Sequence, residues 1–177
     1  MSSDCYDEIL NSSINKDTLP KEEDSRECRI DSFRGSYLFL SNFYESPVEY
    51  KGLRYQCSEA AYQAQKCVDE SDKQRFTVFS AKEAKAMGQK VNVRPDWDII
   101  KLEEMERIVR AKFQQNKDIA EKLIETHPRN LVEANNWGDD FWGYDLCRQE
   151  GLNHLGKILM RIRDELCREA GAFPDER

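Results

Sequence analysis

Two segments of this chain repeat apolar residues at intervals of three and four, which is the spacing of one face of an α-helix. The first runs from Asp96 to about Gln115, and the second begins at Asn153. Each helix would bury an apolar stripe along its length, so the fold should depend mainly on helix packing. The two stripes consist of Ile100, Met105, Ile108, Val109 and Phe113, and of Leu155, Ile158, Leu159, Ile162 and Leu166.

The β-structure that the sequence predicts is short. Closely spaced aromatic residues over 33–44 favour strands or a buried loop. The dipeptide Lys51-Gly52 favours a tight turn, because glycine readily adopts the positive φ that such a turn requires. We therefore expect a β-hairpin over about residues 47–56 and a further short strand at 131–133.

Capping residues mark the start of other helices. Ser58 is a candidate N-cap for the segment EAAYQAQKC, and Ser80 with Glu83 matches a capping box. Another helix is expected over 118–126, where His127-Pro128 would end it. The predicted fold class is therefore α+β: a compact, mainly α-helical single domain with a small β-hairpin and short strands.

The two ends of the chain differ from its middle in composition. Residues 1–29 are rich in Ser, Asp, Glu, Asn and Lys, a composition that favours a flexible polar tail. Residues 30–170 then form the predicted domain, followed by a second tail at 171–177. The total of 177 residues suits one domain with one sizeable core.

Charge and cysteine usage restrict the class of protein. With 34 acidic and 27 basic residues the net charge is -7, so any phosphate recognition requires a local basic pocket. No apolar run approaches the ~20 residues of a membrane helix, and a secretory signal is not apparent. We expect a cytoplasmic, reducing environment with free thiols. Only two histidines are present and no CxxC pair, so we expect neither a metal nor a cofactor.

Two motifs before residue 70 are rich in polar groups. In FLSNFYESP, Ser41 and Asn42 could present hydroxyl and amide groups to a ligand, or could stitch a local turn. In SEAAYQAQK, four polar residues at relative positions 0, 3, 4 and 7 share one helical face. That face, which could line a pocket or lie in solvent, carries Glu59, Tyr62, Gln63 and Lys66.

Two later motifs carry further candidates. In VRPDWD, Trp97 could stack on a nucleobase and Arg94 could pair with phosphate, although a tryptophan at a helix start more simply anchors the core. The stretch NNWGDDFWGYDLCRQEGLNHLG is a long loop, and such loops usually serve function. Asp139 or Asp140 could activate water there, or could belong to an Asx-rich turn.

These blocks, in this order, resemble the NADAR (YbiA-like) family. The resemblance rests on FLSNFYESPVEYKGLRYQCSEAAYQAQK, RPDWD, KLEEMERIVRAKFQQN, LVEANNWGDDFWG and GLNHLGKILMRIR, spanning about residues 33–166. It implies a compact, mainly helical α+β fold. It also implies N-glycosidase activity, either on phosphoribosylamino-pyrimidine intermediates of riboflavin synthesis or on guanine bases that carry ADP-ribose.

The resemblance also implies roles for individual residues. Glu59, Asp139 and Lys66 match the family's catalytic positions. Ala60 stands where the family usually has histidine, and Tyr144 stands where a small residue is common. The residues expected to bind substrate are Ser41, Asn42, Tyr62, Arg94, Trp97, Trp142, Gly143 and Asn153.

Two mechanisms fit these residues. Cleavage of a C1′–N bond passes through an oxocarbenium-like state that the pair Glu59 and Asp139 could serve. Alternatively, the ribose could open to an imine that Lys66 attacks. The expected partner is a nucleotide or ADP-ribosylated guanine, free or within nucleic acid, bound by a monomer. A nucleotide-binding module without turnover and a helical interaction protein are the alternatives.

Overall fold

The computed structural model of this protein describes residues 28–171. The predicted tails therefore lie outside the described residues, except for positions 28, 29 and 171. Within the described part, the strands and helices follow one another in this order: β1 (Arg29–Ile30), β2 (Val48–Tyr50), β3 (Leu53–Tyr55), α1 (Ser58–Ala64), α2 (Glu70–Arg75), α3 (Ala81–Gly88), α4 (Trp97–Gln115), α5 (Lys117–Glu125), β4 (Asn130–Leu131), β5 (Ala134–Asn135), β6 (Tyr144–Asp145) and α6 (His154–Glu169).

Helices α4 and α6 form the centre of the fold, as their apolar stripes predict. Helix α4 packs against α1, α5, α6 and the β2–β3 hairpin. The predicted α+β class, mainly helical with short strands, is confirmed. None of the helices in residues 28–171 is long and apolar enough to span a membrane. The stripe residues that are buried are Met105, Ile108, Val109, Phe113, Leu155, Ile158, Leu159 and Ile162.

The β-hairpin forms where it is predicted and is anchored to α4. Strands β2 and β3 are antiparallel, and the turn residues Lys51 and Gly52 have φ values of 49° and 80°. The carboxylate of Glu104 on α4 accepts hydrogen bonds from Tyr50 Oη at 2.9 Å and from Lys51 Nζ at 2.7 Å. A buried acid on α4 thus fixes the position of the turn.

The other strands form two parallel pairs, the first of them between segments about 100 residues apart in sequence. Strand β1 pairs with β4, and β5 pairs with β6. Arg29, which the sequence assigns to the tail, pairs with Asn130 in the first ladder. The strand expected at 131–133 ends at Leu131, and a new strand starts at Ala134. The chain therefore bends at Val132 and Glu133, directly before the long loop.

Several predicted boundaries are wrong by a residue or in kind. Residues Gly35–Leu40 form a 3₁₀ helix, because the aromatic side chains there pack from a turn and do not alternate across a strand. Helix α1 begins at Ser58 itself, with Cys57 as its N-cap. Helix α2 is missing from the prediction, since none of its residues is buried and it has no apolar stripe.

The capping box at α3 is confirmed. Ser80 accepts from the Glu83 N–H, and the Glu83 carboxylate accepts from the Ser80 N–H. Asp96 stands at the N-cap of α4 but makes no side-chain capping bond. Its carboxylate instead binds the guanidinium of Arg94.

Candidate active site

One cleft brings together most of the predicted site residues. It has a volume of about 670 Å³ and is bordered by α1, α3, the first half of α4, the 3₁₀ segment and the loop after β5. The predicted site residues that line it are Ser41, Asn42, Glu59, Tyr62, Lys66, Trp97, Asp139 and Trp142. They come from positions up to 101 residues apart in sequence, from Ser41 to Trp142.

The polar face of α1 is a wall of this cleft and is not a solvated surface. Glu59, Tyr62 and Gln63 are buried as measured by side-chain exposure, yet all three border the cleft. The helix ends at Ala64, so Lys66 lies in the following turn, where its N–H binds the Gln63 carbonyl at 3.2 Å. That turn keeps Lys66 on the cleft side.

Glu59 is held by its neighbours on the helix and in the loop before it. Its backbone N–H donates to the Asn42 carbonyl at 3.0 Å, and Gln63 Nε2 donates to Glu59 Oε1 at 2.8 Å. Burial raises the pKa of Glu59, while Gln63, Lys85 and Lys66 each act in the opposite direction. Burial therefore disfavours the charged form of this carboxylate, and the two lysines favour it.

Gln63 reaches Glu59 because α3 has a glycine beside it. A Cβ at Gly88 would lie 1.9 Å from Gln63 Oε1 and 2.6 Å from its amide carbon. Any larger side chain at position 88 would displace Gln63 from the carboxylate. The close approach of α1 and α3 at Gly88 therefore keeps Gln63 in place to orient Glu59.

Glu133 is the site residue that sequence reasoning misses. It lies in the bend between β4 and β5 and lines the cleft together with Glu59 and Asp139. Burial raises its pKa to about 7, and the negative charges of Asp139 and Glu59 act in the same direction. Its place in the segment LVEA could have identified it, because an acid between apolar residues is withdrawn from water only where the site requires it.

Asp139 belongs to a loop with a defined hydrogen-bond pattern. Its Oδ1 accepts from the Trp142 N–H at 2.9 Å. Buried Asn135 accepts from the Asp139 N–H at 3.1 Å and donates to the Asp139 carbonyl at 2.7 Å. Asp140, the other candidate, forms an ion pair with Arg148 at 3.3 Å and does not line the cleft.

Two lysines face these acids. Neither Lys66 nor Lys85 forms an ion pair with a described residue, although both lie close enough to Glu59 to influence its pKa. Burial lowers the pKa of Lys66, and the charge of Lys85 lowers it further against the opposing effect of Glu59. Lys66 Nζ also lies 5.9 Å from the centre of the Trp97 ring.

Three aromatic rings form the floor of the cleft. The Tyr62 ring lies 5.0 Å from Trp97 in a tilted arrangement and 5.5 Å from Trp142 edge to face. Burial and the charges of Glu59, Asp139 and Asp98 all raise the pKa of Tyr62, so its phenol stays neutral. Trp97 is buried in the core and also lines the cleft.

In the loop of Ser41 and Asn42, the serine side chain forms a local turn and the asparagine side chain has an oxygen without a hydrogen-bond partner. Ser41 Oγ accepts from the Phe43 N–H at 3.1 Å, which is the turn bond expected of a non-functional serine. In contrast, Asn42 Oδ1 is buried without a hydrogen-bond partner among the described residues, and Asn42 lines the cleft. Buried polar atoms of this kind are suited to a ligand.

Three of the predicted substrate-binding residues lie outside the cleft lining. Arg94 is engaged by Asp96, with Nε–Oδ1 at 2.6 Å and Nη2–Oδ2 at 2.9 Å, so its guanidinium is already paired. Gly143 and Asn153 lie behind Glu133. A Cβ at Gly143 would come within 2.3 Å of the Glu133 carbonyl.

Asn153 joins the start of α6 to the chain around Glu133. Its Oδ1 accepts from the Glu133 N–H at 3.1 Å, and its Nδ2 donates to the Leu131 carbonyl at 2.9 Å. The residue adopts a left-handed conformation with φ of 50°. Its side chain thus positions a catalytic candidate from behind and does not face the cleft.

Comparison with known proteins identifies the chain. A profile of the NADAR domain matches residues 31–167. The chain belongs to the NADAR domain family. N-glycosidase Npun_R5314 of Nostoc punctiforme is 37% identical over 136 residues, which cover 73% of this chain and 86% of that protein.

Other relatives extend the NADAR comparison to structure. N-glycosidase YbiA of Escherichia coli is 35% identical over 133 residues, which cover 73% of this chain and 82% of YbiA. Its NMR structure superimposes with a TM-score of 0.71 at 30% identity, covering 84% of this chain and 89% of that one. A riboflavin biosynthesis protein of Vibrio vulnificus, VVA0006, matches at 37% identity over 131 residues, 72% of this chain and 35% of that protein.

The position of Asn153 leads to a stability prediction. Asn153→Gly keeps the left-handed backbone accessible but removes both side-chain hydrogen bonds, so we expect the free energy of unfolding to fall by about 1–3 kcal/mol. Gln149→Gly is the control, because Gln149 is exposed and also has a positive φ of 56°. Urea denaturation measures both. A raised KM without any loss of stability in Asn153→Gly would instead assign Asn153 to substrate binding.

Proposed function

We propose that this hydrolase of N-glycosyl bonds cleaves the ribose C1′–N bond of a nucleotide-type substrate. The two candidate substrates are ADP-ribosylated guanine and a phosphoribosylamino-pyrimidine of riboflavin synthesis. One observation carries the proposal: Glu59, Glu133 and Asp139 line a cleft that also has a floor of contacting aromatic rings and three lysines in its lining. Acids close to one another in a partly buried site are typical of glycosyl transfer to water.

Glu133 is the proposed proton donor. Its pKa of about 7 keeps a substantial protonated fraction at neutral pH, which ordinary glutamates lack. The departing base nitrogen gains a proton as the C1′–N bond breaks, and an acid with a pKa near the working pH supplies it efficiently. Asp139 contributes by keeping that pKa high through its negative charge.

Glu59 is the proposed carboxylate partner. Burial raises the pKa of Glu59, whereas Gln63, Lys85 and Lys66 favour its charged form. A charged carboxylate can stabilise the positive charge that develops at C1′ and can direct water to that atom. The two glutamates therefore divide the chemistry, one as acid and one as base.

The floor of the cleft suits a base or a sugar ring. Tyr62, Trp97 and Trp142 present apolar ring surface, and the unpartnered amide oxygen of Asn42 can accept a hydrogen bond from a ribose hydroxyl or a base amine. Lys85 supplies positive charge for phosphate. This combination fits a nucleotide better than a neutral sugar.

The test of this function is the removal of the Glu59 charge. Glu59→Gln keeps the size and hydrogen bonding of the side chain, so substrate should still bind while kcat falls by ~100-fold or more. Glu103→Gln on the exposed surface of α4 is the matched control. Both candidate substrates are assayed for release of the free base. A folded Glu59→Gln variant with normal kcat would favour a nucleotide-binding module.

The raised pKa of Glu133 predicts the pH dependence of activity. The protonated form donates, so kcat/KM should fall as pH rises through about 7. Glu133→Gln cannot donate a proton in this way, so its low residual activity should lose that alkaline decline. The measurement is a pH profile from 5.5 to 9 for both proteins. An unchanged decline in Glu133→Gln would assign the titration to another group.

Lys66 separates direct hydrolysis from an imine route. Lys66→Arg keeps the positive charge but removes the primary amine, whose lowered pKa would make it a nucleophile. If water attacks directly, Lys66→Arg should retain much more activity than Lys66→Ala. If an imine forms, both variants should lose turnover, and borohydride should trap an adduct on the wild type that mass spectrometry locates at Lys66.

A further inference from the structure

The side chain of Asn135 closes the loop that carries Asp139. Asn135 is the last residue of β5 and is buried, with 3% of its surface exposed. The three residues between it and Asp139, at 136–138, are all exposed. An exposed segment has little apolar packing to fix its path, so its shape depends on the hydrogen bonds that join its ends.

The amide of Asn135 uses both of its polar atoms on this loop. Its Oδ1 accepts from the Asp139 N–H at 3.1 Å and from the Trp137 N–H at 3.3 Å, and its Nδ2 donates to the Asp139 carbonyl at 2.7 Å. One side chain therefore binds both backbone polar groups of Asp139, as a neighbouring strand would. An asparagine is suited to this arrangement because its amide carries an acceptor and a donor side by side.

The backbone of Asn135 is in turn fixed by β6. Strands β5 and β6 are parallel, and Asn135 is paired with Asp145. The Leu146 N–H donates to the Asn135 carbonyl at 2.8 Å. The amide therefore projects from a strand that is itself hydrogen-bonded, which gives the amide a defined position.

A glycine leaves the space that this amide occupies. A Cβ at Gly143 would lie 2.8 Å from Asn135 Nδ2 and 3.4 Å from the Asp139 carbonyl oxygen. The same Cβ would lie 2.3 Å from the carbonyl oxygen of Glu133. The backbones of the two acids and the amide of Asn135 therefore meet around one residue that has no side chain.

The position of Asp139 matters because its charge acts on Glu133. Burial raises the pKa of Glu133 to about 7, and the charges of Asp139 and Glu59 act in the same direction, whereas Lys85 opposes them. A movement of Asp139 away from Glu133 would lower this pKa, because the interaction of two charges weakens with distance. The other charged side chains that line the cleft are Arg34, Lys66 and Lys101.

We infer that Asn135 is a positioning residue for the reaction: by binding both backbone groups of Asp139, it holds that acid beside Glu133. Asn135 does not line the cleft, so it acts through Asp139 and not by contact with the substrate. The inference rests on the proposed function, in which Glu133 donates the proton. It adds a residue behind the cleft on which the proton donor depends.

Removal of the amide tests this role through the pKa of Glu133. Asn135→Ser keeps a hydroxyl that can accept from the Trp137 N–H but is too short to bind Asp139. Asn135→Ala removes all three bonds. In both variants the pKa of Glu133 should fall by about 0.5 pH units or more, because Asp139 is no longer held. The measurement is a ¹³C NMR titration of the Glu133 carboxyl carbon, assigned by its absence in Glu133→Gln.

A double variant shows whether the effect passes through Asp139. Asp139→Asn removes the charge and leaves the backbone of residue 139 bound, so the pKa of Glu133 should fall by about one pH unit. Asn135→Ser combined with Asp139→Asn should lower it no further, since the charge that Asn135 positions is already gone. Asn92→Ala is the control and should leave the pKa unchanged, because Asn92 is exposed and does not line the cleft.

The activity profile gives a second readout. The protonated form of Glu133 donates, so a lower pKa should move the alkaline decline of kcat/KM to lower pH in Asn135→Ser by the same amount. A folded Asn135→Ser variant with the wild-type pKa of Glu133 would overturn the inference. A further fall of the pKa in the double variant would overturn it too, because Asn135 would then act on Glu133 by another route. Circular dichroism and melting temperature establish that each variant is folded.

The NMR titration does not require turnover, which separates this inference from the proposed function. If the wild type releases no base from either candidate substrate, the proposed function fails. The titration still decides whether Asn135 holds Asp139 beside Glu133.

Discussion

The hydrogen bonds that close around the backbone of Glu133 are the constraint on which the candidate site depends. Asn153 at the start of α6 binds the Glu133 N–H and the Leu131 carbonyl, and the Tyr144 N–H binds the Glu133 carbonyl. Gly143 leaves the space in which these strands meet. The β1–β4 pair, the β5–β6 pair and α6 meet at this point, so their packing sets the position of the acid. A half-buried carboxyl needs such support, since its desolvation opposes folding.

The opposite wall of the cleft is held by a second buried polar group. Lys112 on α4 is fully buried and donates to the carbonyls of Phe39 and Ser41 at 2.6 and 2.9 Å. Burial lowers its pKa to about 7. The chain that it fixes continues to Asn42, whose carbonyl receives the Glu59 N–H. Both glutamates are therefore positioned through backbone hydrogen bonds, which tolerate less movement than contacts between flexible side chains.

The cleft divides into two parts with different physical characters. At its floor, Tyr62, Trp97 and Trp142 contact one another. Apolar rings lower the local dielectric constant, which strengthens the interactions among the acids and lysines nearby. At its opening, Phe43 and Trp137 remain exposed beside Lys85 and Arg34. Chemistry that depends on raised carboxyl pKa values needs the part of the cleft that is withdrawn from water.

The sequence by itself determined the features that arise from local interactions. Apolar spacing predicted α4 and α6, Ser80 and Glu83 predicted the start of α3, and Lys51-Gly52 predicted the hairpin turn. The family resemblance added Glu59, Trp97 and Asp139 as cleft residues. Only the tertiary structure decided that Glu133 lines the same cleft, that Asp96 forms an ion pair with Arg94, and that Asn153 binds the backbone of Glu133. The physical reason is that the direction, burial and pKa of a polar side chain depend on which groups the folded backbone brings near it, and periodicity and capping patterns do not encode those contacts.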